Sequence, residues 1–228
     1  MIVVAGENVV DLVPAPGGAL APSLGGGPAN IAVAVARLDA PVAMVARLGV
    51  DPFGEAFAAR FAAAGVATTY LVRSSDPSTL ALVTFGADGS ARYDFWLAGA
   101  ADFNWQPGEL PDLPIGAILH IGSLAAFLPP GADAVLGWAR EHRRKGVVTF
   151  DPNLRPAGLA HLNRLEALVE CANVVKVSED DLHLAYPGEE PEAVCRRWLY
   201  PPPALLTITT YDPFEIMWHR GLNVCGVV

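Results

Sequence analysis

Short runs of apolar residues alternate along the chain with longer segments in which apolar residues recur every three to four positions. The short runs predict buried β-strands, because strands covered on both faces read as continuous apolar stretches. Predicted strands are Ile2–Ala5, Val42–Arg47, Ala117–Ile121, Val147–Phe150, Val174–Val177 and Leu205–Thr209. Predicted helices are Pro28–Leu38, Phe53–Ala64, Ala132–Arg144, Ala160–Cys171 and Pro191–Tyr200. This alternation predicts an α/β fold in which helices cover both faces of a mostly parallel sheet.

One stretch breaks the alternation. Thr79–Phe85 and Ser90–Leu97 are β-rich and flank an Asp-Gly turn, which strongly indicates a hairpin. The earlier runs Val9–Leu12 and Leu20–Leu24 can pair with it. We therefore expect one α/β domain over residues 1–228, with a small β-sheet from about residues 12–24 and 79–97 inserted in it as a lid or an interface.

Composition narrows the classes of protein. The 228 residues are 52% hydrophobic and 17% charged, which suffices for a packed core. With 15 basic and 24 acidic side chains, 15 − 24 gives a net charge of −9, which disfavours a nucleic-acid partner. No apolar run approaches the roughly 18 residues that cross a bilayer, and the N-terminus lacks the basic region of a signal peptide. These features predict a cytoplasmic protein.

The three cysteines, Cys171, Cys195 and Cys225, have neither the even number of a disulfide framework nor the spacing of a zinc site. We expect small buried hydrophobic residues rather than redox groups.

The segment Gly25–Asn30 (GGGPAN) directly precedes a predicted helix. Glycines allow a ligand to approach the backbone closely, and the first turn of a helix has free N–H donors. The Asn30 amide both donates and accepts hydrogen bonds, which suits a polyol. A glycine turn leading into a packed helix explains the segment equally well.

Asp11 lies shortly after the first strand, where open α/β sheets bind ligands. A carboxylate there can accept hydrogen bonds from two sugar hydroxyls. A solvated loop aspartate is the alternative, and for the residue taken alone it is the better supported one.

Four segments occur in the order found in the PfkB, or ribokinase-like, family of carbohydrate kinases. They are Gly25–Leu38 (GGGPANIAVAVARL), Gly49–Gly54 (GVDPFG), Asp151–Arg155 (DPNLR) and Lys176–Asp181 (KVSEDD). Together with the G-E-x-x-x-D segment ending at Asp11 and the aromatic run Tyr93–Trp96, they most resemble bacterial fructokinases. The resemblance implies a ribokinase-like fold and ATP-dependent phosphorylation of a sugar hydroxyl, with fructose favoured. It also implies Mg²⁺ and ATP as cofactors of the complete family member, and a homodimer formed through the lid.

On the sugar side, the resemblance implies that Asp11, Gly26, Gly27 and Asn30 bind hydroxyls and that Phe95 packs on the sugar from the lid. Packing within the lid or at a dimer contact explains Phe95 equally well. On the phosphate and nucleotide side it implies Asn153, Arg155, Lys176, Ser178, Asp181 and Thr209. An ion pair with an acidic residue is the alternative for Arg155. Ser178 and Asp181 align with the family's N-x-x-E motif, through which Asp181 would act on magnesium indirectly.

Some parts of the family pattern are absent. The catalytic aspartate belongs to a G-A-G-D motif that these 228 residues do not contain, so we expect it to lie beyond Val228. Tyr211 and Phe214 stand where a T-x-G-x-x-G segment has glycines, which opposes close approach of a nucleotide. Asp39 stands where a helix-ending glycine is usual, a change that aspartate tolerates because it adopts left-handed conformations more readily than most residues.

Two functional hypotheses follow. The first is a sugar kinase by descent that lacks its catalytic segment, as a fragment or a decayed copy, and is inactive alone. The alternative is a non-catalytic sugar-binding or dimerisation module. A generic dinucleotide-binding fold is disfavoured, because no G-x-G-x-x-G follows the first strand.

Overall fold

The computed structural model describes residues 1–86, 89, 91–106, 108–199, 205–209, 216–220 and 223–227, the last two ranges as backbone. The Asp-Gly turn and the Tyr211–Phe214 segment therefore lie wholly or partly outside the described residues.

A nine-stranded sheet forms the main layer. Its strands are β1 (Ile2–Ala5), β4 (Val42–Gly49), β5 (Ala67–Ser74), β8 (Ile118–Gly122), β9 (Val147–Asp151), β10 (Val174–Ser178), β11 (Leu205–Thr209), β12 (Ile216–Arg220) and β13 (Asn223–Val227). They are ordered β13-β12-β11-β10-β9-β8-β1-β4-β5. From β5 to β11 all neighbours run parallel, and β12 and β13 continue the sheet antiparallel.

A separate four-stranded sheet, called the small sheet below, stands apart from the main one. It consists of β2 (Val9–Pro14), β3 (Leu20–Leu24), β6 (Thr79–Phe85) and β7 (Ala91–Trp96), ordered β3-β2-β6-β7. The β2–β3 and β6–β7 pairs are antiparallel hairpins, and β2 joins β6 in parallel. The predicted small sheet is thus confirmed, with its first strand beginning at Val9.

Helices cover both faces of the main sheet. They are α1 (Gly27–Arg37), α2 (Pro52–Ala63), α3 (Ser123–Phe127), α4 (Ala132–His142), α5 (Leu165–Cys171), α6 (Glu179–Ala185) and α7 (Pro191–Trp198), with 3₁₀ turns at Pro16–Gly18, Ala101–Phe103 and Pro156–Arg164. On one face, Phe57 and Phe61 of α2 pack with Met44 of β4. On the other, Leu168 of α5 packs with Phe150 of β9 in the larger core. The predicted α/β class is confirmed.

Several elements differ from the predictions. Strand β5 was not predicted, because its first half is exposed at the edge of the sheet and carries threonines rather than a continuous apolar run. The predicted helix Ala160–Cys171 is a 3₁₀ turn followed by α5. Helices α3 and α6, of five and seven residues, are too short to show a helical period.

The Gly49–Gly54 segment (GVDPFG) has a structural explanation. Asp51 caps α2, because its side chain accepts hydrogen bonds from the N–H groups of Phe53 and Gly54. A Cβ on Gly54 would overlap the Gly49 carbonyl, so the loop packs directly on the helix. Asp39, after α1, has φ +57, the left-handed conformation expected of it.

Both described cysteine side chains, Cys171 and Cys195, are buried thiols. Within the described residues, no helix combines the length and apolarity that crossing a membrane requires.

Candidate functional site

A cleft of about 180 Å³ lies between the small sheet and the carboxyl ends of the central strands of the main sheet. Its lining comes from loops after β1, β8 and β9, from the start of α1, and from one face of the small sheet. The residues are Glu7, Val9, Asp11, Gly26, Gly27, Asn30, Tyr93, Phe95, Ser123, Leu124, Asn153 and Arg155. The structure therefore brings together all five residues predicted to contact the sugar, with two of those predicted for the phosphate side.

Asp11 is a strand residue rather than a residue of a solvated loop. It lies within β2 opposite Ser23 of β3 and is half-buried, and this burial raises the pKa of its carboxyl. Gly25 makes room for the carboxylate, because a Cβ there would overlap Asp11 Oδ2. The carboxylate thus enters the cleft from the small sheet.

The two following glycines bring α1 close to the strand ends. Gly26 has φ +94, and a Cβ there would lie 2.6 Å from the Glu7 carbonyl oxygen. A Cβ on Gly27 would lie 2.9 Å from Asn153 Nδ2. Only glycine combines this backbone conformation with such close approaches. The GGG segment therefore packs against the loops that follow β1 and β9 at the base of the cleft.

Asn30, on the first turn of α1, has one of its polar atoms already engaged. Arg60 of α2 donates from Nη2 to Asn30 Oδ1 over 2.8 Å and from Nη1 to the Leu24 carbonyl over 2.9 Å. An amide whose oxygen is taken by a guanidinium has its N–H groups left as donors. The Asn30 side-chain N–H groups are therefore the donors that this lining residue offers, complementary to the acceptor Asp11.

The small sheet contributes aromatic rings. Tyr93 and Phe95 alternate along β7 and share the face that lines the cleft, with ring centroids 5.9 Å apart and planes 18° from parallel. Trp96 lies on the opposite face and is 56% exposed. The side of a sugar ring that carries C–H groups packs well on such an apolar surface.

At the base of the cleft, Ser123 follows β8 and Asn153 follows β9. Both have left-handed backbones, with φ +55 and +39, and Asn153 Nδ2 donates to Ser123 Oγ over 3.3 Å. Arg155 lines the cleft beside them and donates to the Leu154 carbonyl over 2.8 Å. The ion pairs of the described residues do not include Arg155, so its guanidinium keeps donors for an anionic ligand.

The remaining predicted residues lie outside this cleft. Lys176 pairs with Asp151 at 3.2 Å. Ser178 and Asp181 form a capping box at the start of α6, and Asp181 Oδ1 also accepts from the Leu154 N–H over 2.7 Å. Thr209 lies opposite Ser178 at the end of β11. Among the described residues there is no cluster of three or more His, Cys, Asp or Glu able to hold a metal ion.

Sequence reasoning assigned no role to five lining residues, among them the polar residues Glu7 and Ser123. Glu7 is only 2% exposed, and burial raises the pKa of its carboxyl against the opposing effect of its hydrogen bonds. An acidic residue in a loop usually faces solvent, so nothing in the sequence signals this burial. The glycine before Ser123 is the only local sign that a tight turn follows β8.

The junction of the two sheets is also buried. The carboxyl of Asp102 accepts hydrogen bonds from the Asn8 N–H (2.9 Å), Asn8 Nδ2 (2.9 Å) and Thr79 Oγ1 (2.5 Å). Burial raises the pKa of Asp102 to about 7, and the nearby Glu7 adds to the rise. Asn8, Thr79 and Asp102 each lie where the chain passes between the two sheets. Three of these passages thus meet at one carboxyl.

The fold and the cleft define an α/β protein with a polar cleft beneath a separate β-sheet. A family model described as pfkB family carbohydrate kinase matches residues 1–199, and the chain belongs to that family.

Several curated fructokinases are similar to this chain. Fructokinase from Escherichia coli is 34% identical over 187 residues, covering 79% of this chain and 61% of the relative. Fructokinase-1 from Oryza sativa subsp. japonica is 33% identical over 229 residues, covering 93% and 71%. The chain thus spans about 60% of the length of the bacterial curated relatives it matches.

Solved structures agree with the sequence relatives. Fructokinase from Xylella fastidiosa superposes with a TM-score of 0.90 at 30% identity, over 100% of this chain and 77% of that one. Fructokinase from Vibrio cholerae O395, with fructose, ADP and calcium ion bound, gives 0.87 at 26% identity, over 100% and 75%. The ribokinase-like fold of the chain is thereby confirmed, while the roles of individual site residues stay predictions.

Proposed function

We propose that the cleft binds a ketose such as fructose and forms the sugar-binding half of an ATP-dependent carbohydrate kinase site. The observation that carries the proposal is the complementary pair at the cleft. Asp11 offers an acceptor from the small sheet, and Asn30 offers a donor from α1 because Arg60 occupies its oxygen. A sugar hydroxyl both donates and accepts, so neighbouring hydroxyls satisfy both groups at once.

The phosphate side of the proposed site is Arg155. Its planar, permanently charged guanidinium suits phosphate oxygens, and it lines the same cleft as the sugar-side residues. ATP, when bound, supplies the phosphoryl group, and Arg155 would hold its oxygens. The described residues offer no comparable set for magnesium. Asp181 would contribute indirectly: its carboxyl accepts a hydrogen bond from the Leu154 N–H and so fixes the loop that carries Arg155.

We further propose that the 228-residue polypeptide binds sugar without transferring phosphate at a rate typical of a kinase. Its sequence contains no G-A-G-D, so it lacks the aspartate and the N–H groups that this motif provides. Loss of a general base typically costs about 10²–10⁴ in rate. Loss of an oxyanion-type donor costs about 10²–10³. Even where the two losses overlap rather than multiply, little activity remains.

Calorimetry and a coupled ADP-release assay on the purified 228-residue chain test both statements. We expect fructose to bind, with ribose and 2-keto-3-deoxygluconate as comparison sugars, and Asp11→Ala to abolish or greatly weaken binding. Asp112→Ala is the matched control, because that carboxylate is exposed and pairs with Lys145 away from the cleft. Unchanged affinity in Asp11→Ala would refute the sugar site. Ordinary turnover with magnesium-ATP, lost in Asp11→Ala, would refute the proposed inactivity.

A homodimer formed through the small sheet is a second proposal, and exposed apolar side chains support it. Leu20 and Trp96 share the face of that sheet opposite the cleft and are 49% and 56% exposed, and Phe85, on the other face, is 59% exposed. Exposed apolar groups gathered on one element are typical of interaction surfaces. Light scattering after gel filtration tests this, with Phe85→Glu and Trp96→Glu expected to shift a dimer to monomer. A monomeric wild-type chain would refute it.

A further inference from the structure

Resting on the proposed sugar site, we infer that Asp51 is a positioning residue for the cleft, although it is not among the lining residues. Besides capping α2, its carboxylate fixes Ser78, the residue at which the chain enters the small sheet. The place of Asp11 and Phe95 relative to the main sheet is therefore set in part from the start of α2.

The Asp51 carboxylate divides its hydrogen bonds between the helix and the small sheet. Oδ1 accepts from the N–H groups of Phe53 and Gly54, over 3.0 and 2.9 Å, and these two bonds cap α2. Oδ2 accepts from the Ser78 N–H over 2.8 Å, and the Ser78 hydroxyl donates to Oδ1 over 2.8 Å. Burial acts to raise the pKa of Asp51, but the hydrogen bonds from Gly54, Ser78 and Phe53 outweigh it and lower the pKa. One oxygen suffices for the cap, and the other serves Ser78.

Gly49, the last residue of β4, makes room for this second connection. A Cβ there would lie 2.5 Å from Asp51 Oδ2 and 3.0 Å from the carbonyl oxygen of Asp76, which belongs to the passage from β5 to β6 (residues 75–78). So close an approach of the passage to the end of β4 requires a residue without a side chain. Gly54 thus packs the loop on α2, and Gly49 admits the passage to the small sheet.

The same passage is held a second time from the main sheet. Arg47, in β4 and only 5% exposed, donates from Nη2 to Ser74 Oγ over 2.8 Å and to Asp76 Oδ2 over 3.1 Å. Its Nε donates over 3.0 Å to the carbonyl of Ala101, where the chain returns from the small sheet. A buried guanidinium without acceptors is costly, so these bonds resist displacement. The passage is therefore fixed at both of its ends, near Ser74 by Arg47 and at Ser78 by the loop after β4.

Strand β6 transmits this position to the cleft, because it is an inner strand of the small sheet. Ala81, three residues after Ser78, lies opposite Asp11 of β2 on one side and opposite Phe95 of β7 on the other. These three residues form one row across the sheet, and both outer members of the row line the cleft. A displacement of Ser78 therefore moves the acceptor and the aromatic ring together, relative to Asn30 on α1.

The variant Asp51→Asn separates the two tasks of the side chain. Asparagine caps helices as well as aspartate does, because its Oδ1 still accepts from the N–H groups of α2. Its Nδ2 replaces the oxygen that faces the Ser78 N–H, and two donors do not bond each other. Ala62→Gly is the matched control, because Ala62 is exposed on α2 and glycine destabilises the helix without touching the passage. Denaturant unfolding measures the loss of stability in each variant.

Backbone amide resonances of the ¹⁵N-labelled chain without ligand report on the row directly. We expect Asp51→Asn to displace the resonances of Asp11, Ala81 and Phe95, and Ala62→Gly to leave them in place. Unchanged resonances in Asp51→Asn, or equal displacements in the two variants, would overturn the inference whether or not the chain binds sugar. If Asp51→Asn fails to fold, Asp51→Ser takes its place, because serine caps the helix with its single side-chain oxygen.

Titration calorimetry measures the consequence for binding. Asp51→Asn should weaken fructose binding by about five- to tenfold, the effect of one misplaced hydrogen bond. Ala62→Gly should leave the dissociation constant within about twofold of wild type. Unchanged affinity in Asp51→Asn, or an equal loss in Ala62→Gly, would overturn the inference. A wild-type chain that binds no fructose refutes the proposed function, and the amide resonances still decide whether Asp51 positions the row.

Discussion

Arg60 lies outside the cleft, yet its Nη2 donates to Asn30 Oδ1 over 2.8 Å. The same guanidinium reaches the Leu24 carbonyl at the end of β3. One side chain of α2 therefore fixes both the direction of the Asn30 amide and the point where the small sheet joins α1.

We expect Arg60→Ala to weaken fructose binding by about five- to tenfold, because the Asn30 amide is then free to rotate and part of its hydrogen bond is lost. Titration calorimetry measures the change. Arg196→Ala is the control, since Arg196 is exposed and pairs only along its own helix with Glu192. Equal losses of fructose affinity in Arg60→Ala and Arg196→Ala would indicate a general effect of removing a positive charge.

The two faces of β7 should differ in their effect on binding. Phe95→Ala removes an aromatic ring from the cleft, and we expect a roughly tenfold weaker complex with fructose from the lost apolar contact. Trp96→Ala, on the opposite and exposed face, should leave the affinity within about twofold. The same calorimetric titration compares them, and equal effects would show that the Phe95 ring acts through the sheet rather than on the sugar.

The pKa of Asp102 predicts a pH-dependent stability. A buried carboxyl whose pKa rises from 3.8 to about 7 binds more protons when folded than when unfolded between these values. Its contribution to the free energy of unfolding therefore falls as pH rises from about 4 to 7, by no more than about 4 kcal/mol. Denaturant unfolding of wild type and Asp102→Asn from pH 5 to 8 measures this.

We expect Asp102→Asn to gain stability relative to wild type as pH rises. The neutral amide keeps an acceptor for Asn8, and its N–H group can donate to the Thr79 hydroxyl, which in the wild type donates to the carboxyl. His120, whose pKa burial lowers to about 4, contributes with the opposite sign in both proteins and cancels in the difference. A difference that stays constant from pH 5 to 8 would show that Asp102 does not titrate in this range.

Replacing a glycine with alanine should be harmful at Gly27 and stabilising at Gly137. In Gly27→Ala the new Cβ would lie 2.9 Å from Asn153 Nδ2, so the amide must shift and fructose affinity should fall at least about fivefold. Gly137, in the middle of α4, has no atom near the corresponding position, and Gly137→Ala should raise the free energy of unfolding by about 0.5–1 kcal/mol. Calorimetry and denaturant unfolding check the two effects, and a Gly27→Ala chain that binds normally would contradict the close packing of α1 on β9.

Sequence patterns were sufficient for six strands of the main sheet and for naming five of the residues that line the cleft, for a physical reason. Buried parallel strands such as β8 to β10 leave continuous apolar runs, and the GGGPAN segment combines glycines with a helix start. Asp11 could be named as a ligand-binding residue, although its place inside β2 came only from the structure.

The base of the cleft was less accessible to prediction. Glu7 could not be found from the sequence, because its buried carboxyl is held by the Ala125 N–H, 118 residues away along the chain. Ser178 and Asp181 show the converse case. Their spacing matches both a capping box and the family motif, and only coordinates reveal that the capping bonds are made.

The parallel pairing of β2 with β6 has a consequence for how the protein folds. It joins Val9 to Thr79, seventy residues apart. The intervening chain builds strands β4 and β5 of the main sheet and the helices α1 and α2. Such distant pairing is entropically costly until the intervening chain is compact. The hairpins of the small sheet can form early, but they can be joined into one sheet only after that half of the domain has folded. Asp11 and Phe95 therefore come together on one face of the small sheet late in folding. The appearance of sugar affinity during refolding would report the completed domain rather than its first strands.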